Sequence, residues 1–277
     1  MKPGGRSERI QVLVAEQAAL RGARVGVLDV CTAAVAGLPV GGAGVSAMSR
    51  DRASHPLCST DDVSEQLEEL QLTLGEGPCM DAYLLGSTVF SSDLLAGEHQ
   101  ERWPVFAAAA LDAGARAVFA FPLQIGAISP GVLDLYSRSS VELDADEVAD
   151  AMAFADTATL LLLDSRISDT GTFFDIDRSG TYRSGGDSSD TRPPGGGPLD
   201  DLGGYRAEID QATGILMVQL GVGVEEAFVR LRAYAYAHGI RLAVVAADVL
   251  AHRLRLSPDI PPPDALPPAE EPPSEEP

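Results

Sequence analysis

The sequence predicts an α+β domain, in which helices flank an antiparallel sheet, followed by an all-α bundle of three helices. Three observations lead to this prediction. Residues 22–164 alternate helix-like apolar periodicity with short runs that are typical of strands. Residues 165–200 are dominated by Gly, Ser, Asp and Pro, a composition typical of a flexible linker. Residues 201–256 contain three short segments whose apolar residues recur at helical spacing.

The chain therefore divides into five predicted segments. A helix within residues 1–21 precedes the α+β domain of residues 22–164. The disordered linker of residues 165–200 joins that domain to the three-helix bundle of residues 201–256. Residues 257–277 hold nine prolines, six acids and no basic residue, which predicts a disordered acidic tail.

Within the α+β domain, the order of patterns predicts alternating helices and strands. Helices are predicted at about 24–36, 103–113 and 144–163, and the helix ahead of the domain at about 7–20. Strands are predicted at AGVSAMSR, near Leu57, at STVFSSDL, and near 117–123 and 131–137.

The segment DDVSEQLEELQLTL predicts a strongly amphipathic helix. Its apolar positions are spaced four, three and four residues apart: Val63, Leu67, Leu70 and Leu74. Asp61 or Asp62 can cap its start, and Gly75 can end it.

Composition bounds the function before any motif is considered. The net charge is −21 over 277 residues, and 45% of the residues are apolar. A nucleic-acid-binding protein usually has a basic face. Residues 201–256 escape the overall acidity, with six acidic and six basic side chains. Any contact with nucleic acid is therefore expected to come from a few focused arginines in this segment.

The three cysteines form no CxxC pair, which favours reduced thiols. The N-terminal residues show no signal-peptide pattern and no segment reads as a membrane span, so a cytoplasmic location is expected. His238 and His252 stand without other ligand types nearby in sequence, and we predict neither a metal site nor a cofactor.

The C-terminal bundle carries several motifs in a fixed order. They are Ala-Thr-Gly-Ile-Leu-Met at 212–217, Glu-Glu-Ala-Phe at 225–228, Leu-Arg at 231–232 and Val-Ala at 245–246. In this combination the stretch from about Arg206 to Leu256 resembles an ANTAR domain. The resemblance implies a three-helix module that binds tandem RNA hairpins in nascent transcripts and prevents a terminator from forming.

Arginine and aromatic side chains suit the unstacked bases and closely spaced phosphates of RNA hairpin loops. Arg230, Arg232 and Arg241 lie on the second helix or just before the third, with Tyr234 and Tyr236 among them, and we select Arg230, Arg232, Tyr234 and Arg241 as candidates. Thr213 is included as a fifth candidate, because it stands where the ANTAR family usually has a basic residue. The loss of that charge is expected to weaken the phosphate contribution to binding. Sequence alone leaves open the alternative that these arginines are ordinary solvated surface.

The α+β domain also carries motifs in a recognisable order. They are LEELQLTLGEGPCMDAY, STVFSSDL, RWPVFAAAALDAGARAVFAFPL and GVLDLYSRS. With these motifs the domain resembles a GAF domain, of the kind found ahead of ANTAR domains. The resemblance implies a sensory fold that binds a small molecule between sheet and loops, or that dimerises.

Four residues of this domain are candidates for a ligand site: Glu76, Cys79, Trp103 and Asp134. Glu76 is predicted to cap the next helix or to orient a ligand, and Trp103 to anchor the core or a lid. Periodicity leaves open whether Asp134 faces a pocket or solvent.

Cys79 supports a sharper alternative, because some GAF proteins reduce methionine sulfoxide with cysteines in a similar glycine-rich turn. Cys58 would then be the resolving thiol. No basic residue lies near Cys79 in sequence to lower its pKa, so a buried, unreactive Cys79 is the favoured interpretation.

The leading hypothesis is a homodimeric, non-enzymatic antitermination regulator whose GAF domain senses a signal and whose ANTAR domain binds hairpin RNA. The first alternative is a ligand- or redox-sensing regulator that acts through dimerisation and has a degenerate ANTAR bundle. The second is a GAF-type methionine sulfoxide reductase. Because the predicted linker is long, the domains are expected to communicate through tethering or dimerisation.

Overall fold

The computed structural model describes residues 3–49, 52–171 and 198–257. The chain divides into two compact units, Met1–Arg206 and Ala207–Pro277. The predicted acidic tail from residue 258 onward and residues 172–197 of the predicted linker lie outside the described residues.

The first unit is built on a five-stranded antiparallel sheet. Its strands are β1 (Gly42–Ser49), β2 (Arg52–Ser59), β3 (Val89–Ser91), β4 (Ala117–Ile125) and β5 (Ile128–Ser137). The spatial order is β2-β1-β5-β4-β3, and every neighbouring pair is antiparallel. The central strands β4 and β5 are buried along most of their length, because helices cover both faces of the sheet.

Among the described residues before the gap at 172–197, seven helices accompany the sheet. They are α1 (Pro3–Arg21), α2 (Val27–Gly37), α3 (Asp62–Leu74), α4 (Pro78–Leu85), α5 (Gly97–Arg102), α6 (Pro104–Asp112) and α7 (Ala145–Gly171). One core cluster joins α1, α2 and α7 to one face of the sheet, and includes Ile10, Phe119 and Phe154. A second cluster joins α3, α4 and α6 to the other face, and includes Phe106 and Val118. Neighbours such as Val118 and Phe119 belong to different clusters because side chains alternate along a strand.

The predicted signals at the ends of α3 are confirmed. The Asp61 carboxylate accepts a hydrogen bond from the Ser64 backbone N–H at 2.8 Å, so Asp61 rather than Asp62 is the N-cap. Gly75 ends the helix with φ of 70°, a conformation that is favourable for glycine.

Two boundaries of the predicted α+β domain differ in the structure. Helix α7 continues to Gly171, beyond the predicted domain end at residue 164, because neither proline nor glycine interrupts it before that residue. The N-terminal helix α1 is part of the first unit, since Ile10 and Val14 lie in the core shared with α2 and α7.

The described part of the second unit contains α8 (Pro198–Leu220) from Ala207 onward, α9 (Val224–His238) and α10 (Leu242–Leu250). Helix α8 begins inside the predicted linker, and Gly221 and Gly239 take positive φ in the turns that follow α8 and α9. The apolar residues at helical spacing are mostly buried, whereas Phe228 and Leu250 at the same spacing are half-buried; the buried ones are Ile209, Ala212, Leu216, Ala227, Leu231, Ala235, Leu242, Val245, Ala246 and Val249. The predicted fold class, an α+β domain followed by a three-helix bundle, is confirmed.

Among the helices of the described residues, no single one is long and apolar enough to cross a membrane. The segments Glu208–Leu220 and Val224–His238 pass that test only together, as a pair bent by 106°.

Candidate functional site

One face of α9 carries three polar residues at intervals of four: Arg230, Tyr234 and His238. We call these three residues the α9 stripe, because side chains four apart in a helix are surface neighbours. The ring centroids of Tyr234 and His238 are 3.9 Å apart, and the ring planes are inclined by 21°. The stripe therefore presents two stacked rings beside a guanidinium group.

The Arg230 guanidinium lies 2.6 Å from the Glu226 carboxylate, one turn earlier in α9. Exposed pairs at this spacing contribute only about 0.3–0.5 kcal/mol, so a phosphate can replace Glu226 at small free-energy cost. Arg241 is exposed at the N-cap of α10, three residues after His238. It adds a second guanidinium close in sequence to the end of the stripe.

Arg232 does not join the stripe, although the sequence prediction grouped it with Arg230. Two residues along a helix point to different sides, and the Arg232 guanidinium lies 5.6 Å from the centroid of the Phe228 ring. Desolvation lowers the pKa of Arg232 from its usual value. Its side chain thus packs on the bundle as well as carrying charge.

Thr213, predicted among the RNA-contacting residues, is only 5% exposed. Its hydroxyl donates a hydrogen bond of 2.8 Å to the Ile209 carbonyl oxygen in the same helix. The inclusion of Thr213 as a surface contact is therefore corrected. Its spacing of four from Ile209 places it on the buried side of α8.

A second group of candidate side chains, all of them buried and most of them polar, lies inside the first unit. We call it the polar cluster: Ser46 on β1, Glu68 and Gln71 on α3, Cys79 on α4 and Asp134 on β5. Each member is at most 5% exposed. The Gln71 carbonyl oxygen accepts from the Cys79 backbone N–H at 2.7 Å, and its amide donates to Asp134 Oδ2 at 3.1 Å. The Ser46 hydroxyl donates to the Glu68 carboxyl group.

Two glycines make room for the polar cluster. A Cβ on Gly44 would collide with the Glu68 carboxyl group. A Cβ on Gly77 would lie 2.7 Å from Gln71 Oε1, and Gly77 has φ of 129°, which other residues rarely adopt. The backbone on two sides of the cluster therefore depends on glycine.

Burial governs the ionisation of the cluster. It raises the pKa of Asp134 to about 6, while hydrogen bonds from its neighbours act in the opposite direction. The pKa of Glu68 lies well above its usual value, because the group is buried and faces Asp134. Burial, followed by the two carboxyl groups, raises the pKa of Cys79 well above that of a free thiol. The cluster therefore favours its protonated forms.

The remaining ligand candidates of the sequence prediction have structural contacts. Glu76 Oε1 accepts hydrogen bonds from the Val105 and Phe106 N–H groups at 2.8 and 2.7 Å, so it caps α6 rather than the helix that follows it. Trp103 is 1% exposed in the second core cluster, and its indole N–H donates to Asp81 at 3.0 Å. Of the four candidates, the polar cluster therefore unites Cys79 and Asp134, and it leaves out Glu76 and Trp103.

Cys58 faces a different thiol from the one the sequence suggested. Its sulfur lies 3.0 Å from that of Cys31 on α2, and both residues belong to the cluster that packs on one face of the sheet. Cys79 belongs to the cluster on the opposite face, where its sulfur lies 3.7 Å from the Met48 sulfur. The proposed pairing of Cys58 with Cys79 is therefore wrong, because the sheet lies between them.

The sequence prediction missed Ser46, Glu68, Gln71 and His238. A signal existed for His238, since it repeats the four-residue interval from Arg230 and Tyr234. For α3, the apolar stripe drew attention away from Glu68 and Gln71, which face inwards beside Leu67 and Leu72.

Comparison with known families decides the nature of the second unit. Residues 205–250 match the ANTAR domain family. The C-terminal unit therefore contains an ANTAR domain. The match includes the whole α9 stripe and Arg241, so both arginines and both rings belong to this domain. Comparison with curated proteins finds no match.

Several solved structures resemble the first unit at low sequence identity. A GAF domain of a phosphoenolpyruvate-protein phosphotransferase from Acinetobacter is 12% identical, with a TM-score of 0.44, over 60% of this chain and 96% of its own. A domain of a putative two-component sensor histidine kinase from Sinorhizobium meliloti is 14% identical, with a TM-score of 0.42, over 52% and 92%. Free methionine-R-sulfoxide reductase from Neisseria meningitidis is 13% identical, with a TM-score of 0.39, over 59% and 93%.

Proposed function

We propose that this protein is a cytoplasmic transcription antitermination regulator that binds hairpin RNA through its ANTAR domain, under the control of its N-terminal unit. The observation that carries the proposal is the ANTAR match over residues 205–250, with the α9 stripe and Arg241 on its surface. Tyr234 and His238 offer π-faces to unstacked bases, and Arg230 and Arg241 offer charge to phosphates.

The experiment is a titration of a fluorescent RNA of two tandem stem-loops with the full-length protein, followed by anisotropy at several salt concentrations. Tyr234→Ala is expected to weaken binding by about 5- to 150-fold, the usual effect of losing one base-stacking contact. Arg230→Ala and Arg241→Ala are each expected to weaken binding and to reduce the salt slope by about 0.7–0.9.

Arg253→Ala is the matched control, because Arg253 pairs with Asp248 beyond the stripe, at 2.6 Å. It is expected to bind RNA like the natural protein. The absence of any binding at low salt would refute the RNA-binding proposal. A read-through assay on a template with both stem-loops ahead of a terminator tests the antitermination step itself.

A second candidate function is regulation through self-association, and one observation favours it. An apolar groove of about 680 Å³ runs between α8 and α10, lined by residues that include Ile215, Val218, Val249 and Leu254. Val218 is 87% exposed at its edge. Large exposed apolar surfaces commonly mark protein contacts. Sedimentation of the natural protein and of Val218→Asp separates the candidates: dimers lost in the variant, with RNA affinity unchanged, would favour association as the main activity.

We also infer that the first unit does not act as a thiol reductase. Its Cys79 thiol is buried with a raised pKa, and the thiolate is the nucleophilic form. The Cys58 thiol lies 3.0 Å from the Cys31 thiol, on the side of the sheet opposite Cys79. Thiol-dependent reduction of free methionine sulfoxide, abolished in Cys79→Ser, would overturn this inference.

A further inference from the structure

Three side chains that can bind a metal ion converge inside the first unit. They are Glu68 from α3, Cys79 from α4 and Asp134 from β5, and one ligand atom of each lies within 4.8 Å of those of the other two. All three are at least nine-tenths buried. Three separate elements of the fold thus contribute one donor each to the same small volume.

A second, independent observation indicates that this volume is built for a ligand. Among the described residues, the buried Asp134 Oδ1 has no hydrogen-bond donor when Glu68 and Cys79 are deprotonated, the state in which they bind a metal ion, whereas Asp134 Oδ2 accepts from Gln71. Buried carboxylate oxygens are normally paired, and an orphaned one destabilises the fold. A cation between the three donors would give Asp134 Oδ1 the partner that it lacks.

The neighbours of these donors are arranged as outer contacts of a metal site usually are. Gln71 contacts two of the three ligands at once, since it accepts from the Cys79 N–H and donates to Asp134. Ser46 donates to the third ligand, Glu68. A hydrogen bond therefore positions each of the three ligands and leaves one of its donor atoms available to the metal ion: the Cys79 sulfur, Asp134 Oδ1 and the second Glu68 oxygen.

The donor set selects the kind of metal. One sulfur and two carboxylates exclude a good Ca²⁺ or Mg²⁺ site, because those ions prefer oxygen ligands alone. Zn²⁺ accepts sulfur at about 2.3 Å and carboxylate oxygen at about 2.0–2.2 Å in tetrahedral geometry. We propose that Glu68, Cys79 and Asp134 form a binding site for a divalent, thiol-binding metal ion of the zinc class.

The test uses the full-length reduced protein, stripped with chelator and titrated with Co²⁺, whose bond to a thiolate gives a near-ultraviolet charge-transfer band. One Co²⁺ per chain is expected, with loss of the band when Zn²⁺ is added. Cys79→Ser is expected to abolish the charge-transfer band. Gln71→Ala is expected to weaken Co²⁺ binding by about 10- to 100-fold, as loss of an outer contact usually does.

Cys31→Ser and Cys58→Ser are the matched controls, because they remove thiols on the other side of the sheet. Both variants are expected to keep the band. Absence of the band at saturating Co²⁺ would overturn the proposal, and so would its persistence in Cys79→Ser.

If Cys79→Ser fails to fold, the near-isosteric variants Glu68→Gln and Asp134→Asn decide the question by calorimetric titration with Zn²⁺. Affinity equal to that of the natural protein in both variants would also overturn the proposal. RNA is absent from these experiments, so their outcome is independent of the antitermination proposal.

Discussion

Replacement of Asp134 by Asn is expected to stabilise the metal-free first unit at neutral pH. The pKa of Asp134 rises from 3.8 to about 6 on folding because the group is buried. This rise corresponds to about 3 kcal/mol of unfolding free energy that the ionised carboxylate removes. Asn cannot ionise, and its amide can still accept from Gln71 while placing a donor where Asp134 Oδ1 has no partner.

The sign of the pH dependence follows from the raised pKa. Well below pH 3.8, Asp134 is protonated in both the folded and the unfolded chain, so Asp and Asn should give similar stability. Stability of the natural protein is lost relative to the variant as pH rises from 3.8 to about 6, and the difference is complete above that range. The midpoint of this pH dependence reflects the titration of Asp134 and Glu68 together, because the two carboxyl groups interact.

Urea denaturation in chelator between pH 4 and 8 measures this difference, with the fluorescence of Trp103, the single tryptophan, as the probe. At pH 8 the variant should gain about 3 kcal/mol, or roughly 6–12 °C in Tm for a unit of this size. Asp93→Asn is the control of opposite sign: a hydrogen bond from Arg116 lowers the pKa of Asp93, so this variant should lose stability at neutral pH and recover in acid. An Asp134→Asn variant that is less stable at pH 8, or that differs equally at every pH, would refute the reasoning.

Two further predictions concern the first unit. Glu76→Ala should lower the unfolding free energy of the first unit by about 1–2 kcal/mol, because it removes both hydrogen bonds that cap α6. Glu101→Ala is the control, since it changes an exposed acid and should have little effect. Equal stability of the two variants in urea would contradict the capping role. The thiol oxidant diamide should remove one hydrogen from each of Cys31 and Cys58 and join them in a disulfide, since their sulfurs are 3.0 Å apart. Peptide mapping identifies the bond. A disulfide between Cys58 and Cys79 would contradict the placement of Cys58 beside Cys31.

Local patterns in the sequence were sufficient to predict most of the secondary structure. Asp61 and Gly75 mark the ends of α3 through side-chain and backbone properties that act within a few residues. The buried residues of the ANTAR bundle follow from helical spacing for the same reason. These features need no knowledge of distant parts of the chain.

The polar cluster could not be predicted in this way, because its members come from distant parts of the chain. Asp134 is hydrogen-bonded to Gln71 across 63 positions, and Ser46 to Glu68 across 22. In α3 the apolar pattern predicted a face of Val63, Leu67, Leu70 and Leu74. Glu68 and Gln71 are more deeply buried than Leu70 and Leu74. Those polar side chains find their partners on β1, on β5 and at the start of α4, which the fold brings together.

The free energies of the polar cluster are comparable with those of ligand binding and of allosteric coupling. The buried Asp134 lowers stability by about 3 kcal/mol at neutral pH when no cation is bound. A ligand present at a hundred times its Kd stabilises the state that binds it by about 2.7 kcal/mol, which would offset most of that loss. Allosteric coupling between two sites usually amounts to about 1–3 kcal/mol. Binding of the proposed metal ion at Glu68, Cys79 and Asp134 would therefore release a free energy of the size of a typical allosteric coupling.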